Sequence, residues 1–88
     1  MTSYMLIIDM TLILPQIKHL KVDLGIFSKA TPILELSAKD PDDACYLAYK
    51  TFCDIIIVQE ANADIHNLLK ELKNDFVITG IISDETQL

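Results

Sequence analysis

The chain has 88 residues, with 13 Asp and Glu against 7 cations, all of them lysine, and a formal charge of −6. A chain of this length makes a single domain. The acidic balance without arginine excludes a phosphate-gripping surface for nucleic acid and a polybasic membrane patch. A hydrophobic fraction of 51% is too high for disorder, and no apolar run approaches the ~18 residues of a membrane span.

Tyr4 to Asp9 is a short apolar run with β-branched residues that ends on an acid, which predicts a buried strand. Alternation also runs from Tyr4 to Leu14 and leaves open one long strand over 4–14. The apolar Ile7 and Ile13 on the other face favour a strand followed by a loop. Pro15 to Leu24 predicts a helix: Ile17, Leu20 and Leu24 share a face, proline suits the first position, and Gly25 suits the position just past the end. Ile33 to Ser37 predicts the second strand.

Asp40-Pro41-Asp42-Asp43 is a strong helix start, with an acid cap, a proline at the first position and acids in the first turn. That helix is expected to run to about Phe52, with Ala44, Leu47, Ala48 and Phe52 inward. Tyr46 and Tyr49 lie on another face, so the helix is apolar more widely than packing on one sheet requires. Asp54 to Gln59 carries four consecutive aliphatics, the pattern of a central parallel strand covered on both faces. Asn62 can cap a third helix reaching about Asn74. Ile65, Leu68, Leu69 and Leu72 form its core stripe, and Asn67, Lys70, Glu71 and Lys73 its wet face. Phe76 to Ser83, interrupted by Gly80, predicts the last strand.

The expected fold is therefore α/β, with alternating β-α-β-α-β-α-β order and a parallel four-stranded sheet carrying helices on both faces. One domain covers 1–84 and the polar tail 85–88 frays. In such sheets sites lie beyond the carboxyl ends of the strands.

Local motifs for chemistry are sparse. Cys45 and Cys53 match no metal or redox spacing, and about two helical turns keep them too far apart for a disulfide. They read as reduced thiols of a cytoplasmic protein, and the opening Met-Thr-Ser-Tyr has no basic region of a secretory signal. His19 and His66 have no partner at ligand spacing, and Gly25 and Gly80 are too isolated for a phosphate loop.

Leu6-Ile7-Ile8-Asp9-Met10-Thr11 resembles the first strand of a response-regulator receiver domain, where two adjacent acids hold magnesium. Phe52 to Gln59 resembles the family's third strand, which ends on the phosphorylated Asp. Asp64 to Lys73 is similar to the helix that follows, and Val77 to Ser83 to the fourth strand, which closes on a Ser or Thr. The resemblance implies a flavodoxin-like fold that lacks the fifth strand. It also implies a degenerate site at Asp9, Met10, Gln59 and Ser83: Met10 stands at the second acid, Gln59 at the phosphoacceptor, and no lysine follows Lys73. Phosphoryl acceptance needs a carboxylate nucleophile and hard oxygen ligands for magnesium, which this set does not supply.

The expected function is thus a phosphorylation-independent, receiver-like interaction module in signal transduction, with no enzymatic activity, cofactor or metal. Its partner is a protein or a second copy in a homodimer, and neither nucleic acid nor membrane. Candidate surface residues are Tyr46 and Tyr49 on the second helix and Ile78, Ile81 and Ile82 on the last strand, an edge left bare. The alternative is a small acidic inhibitor or DNA mimic of a mobile element that binds a host protein. An antiparallel sheet would favour it.

Overall fold

The structure, a computed structural model, describes residues 1–83; the tail expected to fray, 85–88, lies outside the described residues. Three strands form one antiparallel sheet in the order β2-β1-β3, where β1 is Thr2–Asp9, β2 is Ile33–Ala38 and β3 is Val77–Ser83. This corrects the expected parallel four-stranded, receiver-like sheet. Both outer strands run against β1, so the layout is α+β and not doubly wound.

Alternation along β1 sets the two faces. Tyr4, Leu6 and Ile8 are buried, while Met5 and Ile7 look the other way. Cross-strand partners follow the same division: Leu36, Leu34 and Ile78 oppose Tyr4, Leu6 and Ile8 on the inner face, and Glu35, Ile33 and Ile82 sit on the outer one. In β3 a bulge at Thr79 shifts the register between Ile7 and Ile8 of β1. Gly80 lies opposite Ile7, where an added Cβ would come within 3.2 Å of the Ile7 Cδ1.

The largest departure is the second helix. One α-helix, α2, runs without a break from Pro41 to Gln59 and absorbs the expected strand 54–59. Its start follows the sequence reading: the Asp40 side chain accepts from the Asp43 amide at 2.7 Å, and the Asp43 carboxylate accepts from the Lys39 amide at 3.2 Å. The reason for its length lies in the spacing of its buried residues. Ala44, Ala48, Phe52 and Ile56 recur every four positions, are fully buried, and pack on β1 and β2. No glycine or proline interrupts 42–60, and the Lys50–Asp54 ion pair at 2.8 Å bridges the expected break. Tertiary packing overrides the strand preference of Ile and Val here. Val58, expected inside, is 84% exposed.

The first helix is also shorter than expected. α1 spans only Leu14–Ile17. Further on, the amide and carbonyl of Asp23 bond to the Gln59 side chain at 2.7 and 2.6 Å, which removes both from any helical ladder. A 3-10 turn at Gly25–Ser28 follows; Gly25 at φ +58° supplies the left-handed step, and Phe27 is delivered to the core. The long-strand alternative over 4–14 ends at Asp9, where the chain turns.

α3, Ala63–Leu72, starts as expected, with the Asn62 side chain accepting from the Ile65 amide at 3.0 Å. Ile65, Leu69 and Leu72 are buried, and α3 packs beside α2. Both long helices cover the inner sheet face. Rings from the 3-10 turn, α2 and the approach to β3 close this layer: Phe27 meets Phe52 at 5.4 Å between centroids, and Phe52 meets Phe76 at 5.7 Å. Among the described residues, no helix lies over the outer face of the sheet, against the expectation of helices on both faces. Among the described residues, no helix is long and apolar enough to cross a membrane.

Candidate functional site

The four residues of the expected degenerate receiver site do not come together. Asp9 ends β1, and its Oδ1 accepts from the amide and the hydroxyl of Thr11 at 2.9 and 2.6 Å. Those hydrogen bonds, the hydroxyl's first, hold its carboxyl below the usual carboxylate range. Met10 is fully buried in the core. Gln59 ends a helix, not a strand, and clasps the loop at Asp23. Ser83 lies opposite Tyr4 while Asp9 lies opposite Val77. Five residue steps along β1, from Tyr4 to Asp9, therefore separate their levels, roughly 17 Å at strand rise. Among the described residues, no group of three His, Cys, Asp or Glu could hold a metal ion.

The candidate surface residues separate onto three places. Tyr46, Tyr49 and Ile78 line a groove of about 500 Å³ between α2, α3 and the start of β3. Ile82 stands on the outer sheet face and is 46% exposed. Ile81 opposes Leu6 on the inner face but sits at the free margin of β3, still partly exposed.

The groove arises from a second stripe on α2. Cys45, Tyr49, Cys53 and Ile57 each follow a core residue by one position, so they lie about 100° around the helix from the buried stripe. They explain why α2 is apolar more widely than sheet packing requires. Leu69 of α3, Phe76 and Ile78 complete the floor. The Tyr49 hydroxyl donates to the Leu69 carbonyl, and its ring stacks edge-on against Phe76 at 4.9 Å. Burial, with the neighbouring Cys53 adding to it, pushes this hydroxyl well above the ordinary tyrosine value. Burial also raises both thiols; Asp42 reinforces the effect at Cys45, and the Tyr49 hydrogen bond opposes it at Cys53. The thiols are protonated at neutral pH, the inert state of cysteine.

Four basic side chains edge this floor: Lys50 on α2, His66 and Lys70 on α3, and Lys73 at the start of the 3-10 turn that follows α3. The sequence reading placed Lys70 and Lys73 on a solvated face and His66 without a partner. Their spacing of four and three residues is the signal that could have marked them as one row.

The outer sheet face is a second apolar surface. Ile33, Ile82, Met5 and Val77 are 58%, 46%, 40% and 38% exposed, and Ile7 joins them, half-buried. Its β2 margin carries Glu35 and is flanked by Pro32 and Lys39; β3 has neither a charge nor a proline from Val77 to Ser83. Comparison with known families finds no matching family model, and neither the curated proteins nor the solved structures give a match.

Proposed function

We propose that the chain is a small protein-interaction module without enzymatic activity, and that its first partner is a second copy of itself. The observation that carries this is the edge of β3, which among the described residues pairs with no strand besides β1, beside the outer face. A strand with one neighbour presents a row of backbone donors and acceptors, and proteins ordinarily blunt such edges with charge, proline or cover. β2 carries Glu35 and has Pro32 and Lys39 beside it, whereas β3 has neither charge nor proline from Val77 to Ser83 and is interrupted by the bulge at Thr79. Pairing of β3 with β3 across a two-fold axis is antiparallel by symmetry, and so extends this sheet in its own pattern. Ile82, Val77 and their copies would then meet side by side.

Sedimentation at micromolar concentration tests the reading. A dimer is expected, and Ile82→Lys, which places a cation at the strand margin, should return it to a monomer. A folded wild-type protein that stays at 9.9 kDa refutes self-association. A dimer indifferent to Ile82→Lys moves the interface away from β3.

The acidic-inhibitor reading is kept as the second one, since the antiparallel sheet and the charge of −6 both favour it. It requires a basic protein partner whose affinity falls steeply with salt.

A further inference from the structure

We infer that the groove between α2 and α3 is the seat of an acidic amphipathic helix from a partner protein. Charge complementarity carries the argument. The chain has 13 acids and 7 lysines, yet three of those lysines and His66 line this groove and, among the described residues, no Asp or Glu does. Lys50 is already paired with Asp54. Lys70 and Lys73 have no ion pair among the described residues, so the uncompensated charge runs along the α3 wall.

Size and shape favour a helix over a compact ligand. The lining residues of α2 run from Cys45 to Ile57, a length of ~18 Å at helical rise, enough for about three turns of a docked helix. His66, Lys70 and Lys73 stand at i, i+4 and i+7 and make a row ~10 Å long. A helix with apolar residues at the same period drops one side chain per turn onto the floor and sets flanking carboxylates against that row. The half-buried Tyr49 and the exposed Tyr46 are the residue type that anchors such interfaces. The docked helix would make a third rod in the layer that α2 and α3 begin. This surface is separate from the outer sheet face, so the inference goes beyond self-association and can be tested in the monomeric Ile82→Lys variant as well.

The test is a displayed library of helix-forming 16-residue peptides with a fixed Leu/Phe stripe and flanking positions varied between Glu and Lys, selected on the full-length protein. Enrichment of Glu beside the stripe is expected, with binding weakened by salt. The double change Lys70→Glu and Lys73→Glu, at two exposed positions, should invert the choice toward Lys-flanked peptides and weaken the original ones at least about tenfold, with the thermal melt as the folding control. Bound peptide should also slow alkylation of Cys45 and Cys53, which line the floor. The inference is overturned if no peptide is enriched, if selection ignores flanking charge, or if the charge reversal leaves the preference unchanged. It is equally overturned if dodecanoate protects the thiols while no peptide does, since the groove is then a site for a fatty carboxylate.

Discussion

The helical assignment of 54–59 makes a sharp demand on two neighbouring side chains. In a strand covered on both faces, Ile56 and Val58 point the same way and both are buried. On α2 they lie about 200° apart: Ile56 is fully buried against the sheet and Val58 is 84% exposed. Ile56→Ala should cost ~2–5 kcal/mol, the transfer of the lost methyl groups plus the cavity they leave. A domain of this size is stable by only ~4–13 kcal/mol, so the alanine variant risks unfolding outright. Ile56→Val, at ~0.5–1.5 kcal/mol, keeps the measurement within range. Val58→Ala should be neutral to ~0.5 kcal/mol stabilising, because alanine is the better helix former and little packing is lost. Urea unfolding followed by circular dichroism at constant slope gives both numbers. A loss above ~1.5 kcal/mol at Val58, or none at Ile56, would refute the continuous helix.

Two titrations probe the candidate residues. Asp9 should ionise below the usual carboxylate range because Thr11 donates to it twice; Thr11→Val should raise it in a carboxyl carbon NMR titration, and an Asp9 that already titrates normally in the wild type counts against the turn. Its depressed value also contributes stability that is present above the unfolded-state value and lost as pH falls through the folded one. Tyr49 has the opposite sign: its raised value means stability that is complete below about 10, the ordinary tyrosine value, and lost as pH rises beyond it. Absorbance at high pH should show Tyr49 ionising only as the protein unfolds, and Tyr49→Phe should remove that late component. A late component that survives Tyr49→Phe overturns it.

The parts of the fold legible in the sequence are those set by local chemistry. Asp40 and Asn62 cap helices where side-chain acceptors and a following proline or acid mark the start. β1, β2 and β3 occupy the expected runs to within a residue or two. What failed was the period of a short apolar run. Ile55-Ile56-Ile57-Val58 satisfies a buried strand as well as it satisfies a helix, and only its distance from Phe52 in steps of four decides. Reading that run as a strand makes the sheet parallel, and it is the parallel sheet that the antiparallel order β2-β1-β3 overturns. The loop clasp at Gln59 was beyond reach for a different reason: its partner, Asp23, is 36 positions away, and no local pattern announces it. Tyr46 and Tyr49 were singled out because α2 carried more apolar area than one contact uses, a surplus that does mark the groove.

The arrangement of charge on α3 extends that logic to the polar residues. Around the helix axis, buried Ile65, Leu69 and Leu72 cluster on one side. His66, Lys70 and Lys73 cluster roughly 100° from them, and Asp64 and Glu71 a further ~140° on, at 100° per residue. A helix whose outer face meets only water gains most from mixing the signs, since Glu and Lys at four-residue spacing support each other. Sorting them forgoes those pairs and brings Lys70 and Lys73 side by side, at a cost of a few tenths of a kcal/mol. Sorted charge therefore calls for a local cause, and the groove wall supplies one, because the cations lie on the side that faces the apolar floor and the acids lie away from it. The same sequence leaves the second stripe of α2 half-covered along the groove. The half-covered stripe is a cost to the isolated chain, and both features are accounted for by a third helix with carboxylates beside its apolar stripe.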